Sequence, residues 1–417
     1  MAAPATASSN ARRVLMIAPI ALVFAAVLVG GHWYIARRLV VESELAAEPR
    51  TALLWLIGLL GATLFAHPIA ERLVARSKVQ WLAWIASIWM GFAFFFLLLL
   101  FASDLALWFG SLLHGALGEG GHSLTTSRVR AGLVIAIGLV AGLLGLRNGL
   151  SPPQLRRVEL SLRRWPAALD GFRIVQISDI HIGSILGREF ARSLTDRVNA
   201  LDADLVAVTG DLVDGKVETL REEVAPFSDL RARHGVFFVT GNHDHYSGGN
   251  AWAACAAELG MCVLRNEHVV IGEGEAAFVL AGVDDHRAGL LPGEGGEDLA
   301  AALAGIAPDL PVVLLAHDPS TFKSACSESI DLQLSGHTHG GQIWPFRYFV
   351  RMAIPFVEGL YSRNDAWLYV SRGTGFWGPP MRLAAPAEIT EIVLRAGESK
   401  PVAPGPPPVQ THFQFDT

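Results

Sequence analysis

Residues 332–341 read Leu-Gln-Leu-Ser-Gly-His-Thr-His-Gly-Gly, a short apolar run that ends abruptly in a polar loop. Alternate side chains on an extended backbone point the same way, so His337 and His339 can face one site. The glycines around them let the chain turn sharply. Two imidazoles so placed make a metal-ligand pair. The same plan recurs four times upstream. Ile174-Val-Gln-Ile-Ser runs into Asp179-Ile-His181, and residues 205–209 run into Gly210-Asp211-Leu-Val-Asp214. Residues 236–240 lead to Gly241-Asn242-His243-Asp244, an amide oxygen, an imidazole and a carboxylate in succession, and residues 311–316 end in His317-Asp318. Loops at strand ends collect such side chains into a common site.

Outward from these loops the pattern stays that of short strands and helices. Apolar runs predict strands at 173–178, 205–209, 236–240, 262–264, 278–283, 312–316, 332–334, 368–371 and 389–394. Helical periodicity falls at 187–199, 250–259 and 297–304. Alternation of this kind predicts an α/β domain, here taken as 165–395. Ser151-Pro152-Pro153 and the arginine-rich stretch after it predict a linker over 151–164. The proline-rich residues 396–417 predict a disordered tail.

The first 150 residues are a different material. The chain of 417 residues is 51% hydrophobic and only 17% charged, below the level of about 25% expected of soluble domains. Residues 1–150 carry a net charge of +5 and the remainder −11. Four apolar stretches, about 14–36, 51–70, 80–103 and 130–147, are long enough to cross a bilayer as helices, the last with Arg130 and Arg147 at its ends. Trp33, Trp81, Trp84 and Trp108 cluster near the span ends. Lys and Arg counts across the loops favour both termini on the cytoplasmic side, so a multi-pass inner-membrane protein with a cytoplasmic catalytic domain is expected. His67 and Asp104 are read as boundary residues rather than a proton path. The acidic second half argues against a nucleic-acid partner. Three cysteines are too few for a disulfide framework.

Taken in order, Asp-x-His, Gly-Asp-x-x-Asp, Gly-Asn-His-Asp, His and Gly-His-x-His resemble the calcineurin-like metallophosphoesterase superfamily over residues 170–395. The resemblance implies a double-layered β-sandwich flanked by helices and a two-metal site. Carried over, Asp179, His181, Asp211 and His339 would hold one ion, while Asp211, Asn242, His317 and His337 would hold the other. This donor set suits Mn²⁺, Fe or Zn²⁺. Two such ions would lower the pKa of a bridging water and clamp the oxygens of an in-line displacement at phosphorus. His243, oriented by Asp244, would protonate the leaving alkoxide or stabilise phosphoryl charge. Asp214 is expected to support a ligand rather than be one.

Departures from the pattern narrow the substrate. Gly215-Lys216 stands where the superfamily's protein phosphatases carry an arginine, which disfavours that subfamily. The stretch Gly336–Pro345, with Ser371-Arg372-Gly373-Thr374-Gly375 and Pro380-Met-Arg382-Leu, resembles a bacterial membrane-associated phosphodiesterase branch, some members of which are similar to enzymes that hydrolyse UDP-2,3-diacylglucosamine. A membrane-anchored phosphodiesterase of a lipid-linked or nucleotide-lipid diester is the leading expectation. A phosphomonoesterase of a soluble substrate, and a membrane sensor or scaffold with a ligand-binding domain, are the alternatives. Ile343, Trp344, Phe346, Phe349, Ile354 and Phe356 could line an acyl groove, dip into the bilayer or pack a core.

Overall fold

The computed structural model describes residues 22–23, 25–115, 124–291 and 293–397. It divides into two compact units, Met1–Leu144 and Gly145–Thr417. The first holds α1 (Ala47–Leu73), α2 (Arg76–Gly115) and most of α3 (Leu124–Gly149), all apolar nearly all round. Among the described residues these are the three helices long and apolar enough to cross a membrane. The expected span 14–36 lies partly outside the described residues, though 25–36 is helical. The three later spans fall inside helices longer than expected. Ile35, Leu39, Ile57, Trp89, Phe96 and Leu100 form the core of this unit. Asp104 is not isolated: it pairs with Arg38 at 2.7 Å and Arg130 at 2.8 Å, and Arg130 also reaches Glu42 at 2.9 Å. Paired charges are tolerated where single ones are costly, so the cluster pins helix ends together. His67 sits one turn from Glu71, 3.1 Å away.

The second unit is built on twelve strands among the described residues, arranged in two sheets. One collects β1 (Gln154–Leu162), β2 (Phe172–Ile177), β3 (Leu205–Thr209), β4 (Val236–Val239), β5 (Cys262–Val263) and β12 (Glu388–Ala396) in the order β1-β12-β2-β3-β4-β5. The other collects β6 (Glu267–Glu273), β7 (Ala276–Gly282), β8 (Val312–Leu315), β9 (Leu332–Ser335), β10 (Gly359–Arg363) and β11 (Ala366–Val370) in the order β10-β11-β9-β8-β7-β6. Because strand side chains alternate, each sheet buries two faces. Ile174, Leu205 and Ala207 point inward and meet Leu280, Val313, Leu315 and Leu334 of the opposite sheet. Their neighbours Val175, Val206 and Val208 point outward to α4 (Arg188–Asn199), α5 (Val217–Val224) and α7 (Gly249–Glu258), which follow the short α6 (Asn242–Tyr246). On the far side Val279, Ala281, Val312 and Leu314 meet α8 (Leu299–Leu303) and α9 (Phe322–Ala325). The result is a helix–sheet–sheet–helix sandwich.

Residues 151–164 are not a linker, because β1 occupies most of them. Val158, Leu160 and Leu162 are buried between the sheets, while Arg157 and Glu159 alternate with them, and the whole strand pairs in parallel with β12. The domain therefore begins earlier than residue 165. Residues 398–417, most of the expected tail, lie outside the described residues.

What positions the site is strand direction. In the first sheet β2, β3 and β4 run parallel, and in the second β7, β8, β9 and β11 do. Each group opens its C-terminal loops at one edge, where open α/β sheets present their functional residues.

Candidate functional site

The loops after β2, β3, β4, β8 and β9 carry the residues singled out from the sequence, and the fold brings them together. Side-chain atoms of Asp179, His181 and His339 lie within 4.8 Å of one another, as do those of Asp211, His317 and His337. Asp211 links the two groups: its Oδ2 is 3.2 Å from His317 Nε2 and 3.8 Å from His181 Nε2. A third grouping joins His181, Asp211 and His243. The loops also hold each other, since the His337 N–H donates to Asp179 Oδ1 at 2.9 Å and the His243 N–H to Asp211 Oδ1 at 2.8 Å.

The local backbone is held in a form that side chains rarely adopt. Asp179, His181, Asp211, His337 and His339 all have positive φ, between 51° and 71°. Such residues cost on the order of 1–3 kcal/mol each and persist where surrounding structure over-determines them. Here the restraint is a cross-loop ladder, in which Asp179 N–H donates to Gly210 O at 3.0 Å and His181 N–H to Asp211 O at 3.1 Å. Close approach at two glycines completes it. A Cβ on Gly336 would lie 2.2 Å from Asp179 Oδ2, and one on Gly210 would lie 2.5 Å from His317 Nδ1.

The donor set fits divalent cations. His181 Nε2 and His339 Nε2 stand 3.0 Å apart, and His317 Nε2 and His337 Nδ1 stand 3.2 Å apart, so ring nitrogens converge in pairs. Asn242 Oδ1 is buried without a hydrogen-bond partner in the protein, an acceptor that needs a cation or donor beside it. Charge is divided unequally among the imidazoles. Burial alone would depress His181, but Asp214, Asp211 and Asp179 overcome it and lift the ring to about 9. His317 is likewise carried well up by Asp211 against its burial. Burial, reinforced by His317, pushes His337 down to about 4. Burial with His181 and Arg382 nearby keeps His339 neutral too.

The expected pairing of His243 with Asp244 is not what the side chains do. Asp244 is fully buried and accepts the N–H groups of Gly241, Leu212 and Val213. Burial and the charge of Asp211 lift its carboxyl to about 7 in spite of those bonds. The partner of His243 is Asp214, whose Oδ1 lies 2.6 Å from His243 Nδ1 and 3.1 Å from His181 Nδ1. The reason is helical: consecutive residues of α6 point about 100° apart, so His243 and Asp244 diverge. Burial would raise the Asp214 carboxyl, yet the two imidazoles hold it far below the usual range.

The sequence singles out neither Trp377 nor Tyr246, and Arg382 only as part of Pro380-Met-Arg382-Leu. Trp377 and Tyr246 place their rings 5.8 Å and 5.5 Å from that of His243, and the buried Arg382 has Nη2 3.3 Å from His339 Nδ1. Trp377 and Arg382 follow β11, so only the topology brings them to the site. Of the aromatic run, Ile343 and Ile354 are buried and Phe356 packs on Phe322, whereas Trp344, Phe346 and Phe349 are exposed.

A layered α/β sandwich whose strand-end loops converge on imidazoles and carboxylates able to hold metal defines the class of the molecule. The sequence profile of the calcineurin-like phosphoesterase family matches residues 172–341. A Bos taurus transmembrane protein with a metallophosphoesterase domain is 40% identical over 279 residues, covering 64% of this chain and 63% of that protein. An uncharacterized Helicobacter pylori metallophosphoesterase is 36% identical over 60% of this chain and 66% of its own. An uncharacterized Aquifex aeolicus metallophosphoesterase is 31% identical over 261 residues, 61% of this chain and 98% of its own. The chain belongs to the calcineurin-like phosphoesterase family. It spans 63% and 62% of the lengths of the Bos taurus and Danio rerio transmembrane relatives.

Proposed function

We propose that the protein is a membrane-anchored, two-metal phosphodiesterase acting on a lipid-linked diester, with its catalytic domain on the cytoplasmic face. The observation that carries the catalytic part is the position of Asp211 between two His-carboxylate groups. Asp179, His181, Asp211 and His339 would hold one divalent ion; Asp211, Asn242, His317 and His337 the other. When bound, such a pair supplies Lewis acidity toward phosphoryl oxygens and lowers the pKa of water. The protein's own work is positional. Asp214 fixes the His243 ring through Nδ1, which leaves Nε2 to meet the departing alkoxide and hand it a proton. Trp377 and Tyr246 flank that ring and limit its movement.

Diesters are favoured over monoesters by charge. A monoester dianion wants a free guanidinium, and two arginines beside the His339 loop, Arg372 and Arg382, are engaged elsewhere. Arg372 binds Glu388 at 2.6 Å, and Arg382 donates to Gly375 O and Ala385 O at 2.9 Å. The lipid character rests on the apolar helices of the same chain and on the transmembrane names of its relatives. Hydrolysis of bis-p-nitrophenyl phosphate against p-nitrophenyl phosphate by the detergent-purified chain with Mn²⁺ tests the reading. Faster diester turnover, lost with chelator and in Asp211→Asn, is expected. Turnover unchanged in that variant would overturn the site.

A further inference from the structure

The stretch immediately after the Gly-His-x-His loop is unlike the rest of its domain. Residues 336–357 contain Arg347 and Arg351 and no acidic residue, within a half of the chain whose net charge is −11. Helix α10 (Arg347–Ala353) follows from it, and none of its seven residues is buried. Four of its members or near neighbours are large and apolar yet open to solvent: Trp344 at 49%, Phe346 at 43%, Phe349 at 57% and Met352 at 85%. Tyr348 is exposed beside them, and the Phe346 and Phe349 rings stand 6.1 Å apart. With none of the helix's residues fully buried, an aromatic surface on it calls for a partner.

This surface is fastened rigidly to the site. Gly341, at φ 78°, has room for no side chain because Arg347 Cα would lie 2.3 Å from its Cβ. The helix therefore rests directly on the loop that carries His337 and His339. Gln342 ties the loop to the His243 side, accepting the Trp377 N–H at 2.9 Å and donating to Trp377 O at 2.8 Å. Arg347 is braced by Glu358 at 2.7 Å.

We propose that the face formed by Trp344, Phe346, Tyr348, Phe349 and Met352 lies in the headgroup interface of a lipid bilayer, so that the site takes its diester from the lipid phase. Exposed aromatic residues interleaved with arginine are the composition that the boundary of an anionic bilayer prefers. The same chain carries three helices able to cross a membrane, and the last ends at Gly149, only a few residues before β1 begins at Gln154. A bilayer is thus held at high local concentration without any further contact. The inference shares with the proposed function the reading of those helices as an anchor, and it does not depend on turnover.

The test uses the full chain, one copy per lipid nanodisc containing anionic lipid. Met352→Cys is labelled with an environment-sensitive fluorophore in a Cys262→Ser background, since Cys255 and Cys326 are buried. Glu222→Cys on α5, with a side chain 88% exposed, is the control. Spin-labelled lipid should quench the probe at 352 several-fold more than the probe at 222, with iodide showing the reverse, as expected for penetration of about 5–10 Å into the interface. Equal iodide quenching at both positions would overturn the proposal by placing the face in water. A probe at 352 shielded from both quenchers would overturn it in favour of a protein partner. Absence of bis-p-nitrophenyl phosphate turnover by the same preparation would sink the phosphodiesterase reading alone, because quenching is read without it.

Discussion

His243 Nδ1 lies 2.6 Å from Asp214 Oδ1, while the adjacent carboxylate, Asp244, turns back to three backbone N–H groups. The two aspartates should therefore fail differently. Asp214→Ala removes the acceptor that orients His243 and His181, and diester turnover is expected to fall about 10–100-fold. Asp244→Asn leaves one of those N–H groups facing a donor, at a cost of about 1–3 kcal/mol in stability. Thermal unfolding and steady-state kinetics on both variants separate the roles. An Asp244→Asn protein that melts like the parent but loses turnover would restore Asp244 as the orienting group.

Close approach, and not left-handed backbone alone, shapes the loops. Gly336→Ala would bring a Cβ within 2.0 Å of Ser178 Oγ and 2.2 Å of Asp179 Oδ2. Gly305, at φ 81°, has open space around the same atom. Gly305→Ala should cost only the conformational penalty of about 1–2 kcal/mol. Gly336→Ala should in addition lower the bound metal per chain, measured by elemental analysis after dialysis. Full metal content in Gly336→Ala would mean the Asp179 loop can retreat without losing its geometry.

How much of this was legible in advance follows from what each signal encodes. Leu205 to Thr209 is a run of buried residues on both faces, and such runs mark central strands whatever their neighbours. The ligand loops after them were legible because glycine, aspartate and histidine in fixed order have few other uses. Strand β1 was missed because it is an edge strand, with Arg157 and Glu159 outward, Arg156 on the inner face, and only every second residue of its second half apolar. Helix α10 was missed because nothing in it is buried, which leaves no periodic stripe to read. The exchange of Asp244 for Asp214 was invisible for a third reason: side-chain direction in α6 depends on where that short helix begins.

The reassignment of residues 151–164 has its own test. Leu160 is fully buried between the sheets, whereas Leu155, on the same strand, is about half exposed. Leu160→Ala should destabilise the domain by about 2–5 kcal/mol, as expected for a core leucine that leaves a cavity. Leu155→Ala should shift the near-ultraviolet melting transition little. A linker would tolerate both equally, so coincident transitions would withdraw β1 from the core.

Metal binding should be coupled to protons, with a sign set by the unequal imidazoles. Without metal, burial disfavours charge on His181, but Asp214, Asp211 and Asp179 raise it to about 9, and Asp211 carries His317 well above its usual value. Both rings therefore hold protons at neutral pH. His337, depressed to about 4 by burial and His317, and His339, also depressed, hold none. Ligation requires neutral imidazole, so filling the site must expel the protons on His181 and His317. Affinity should accordingly weaken as pH falls from 8 to 6, by about tenfold per unit for each proton displaced. Titration calorimetry with Mn²⁺ in buffers of different ionisation enthalpy counts these protons directly. A release near zero would mean that the two rings are already neutral and that the carboxylates face the ions unscreened.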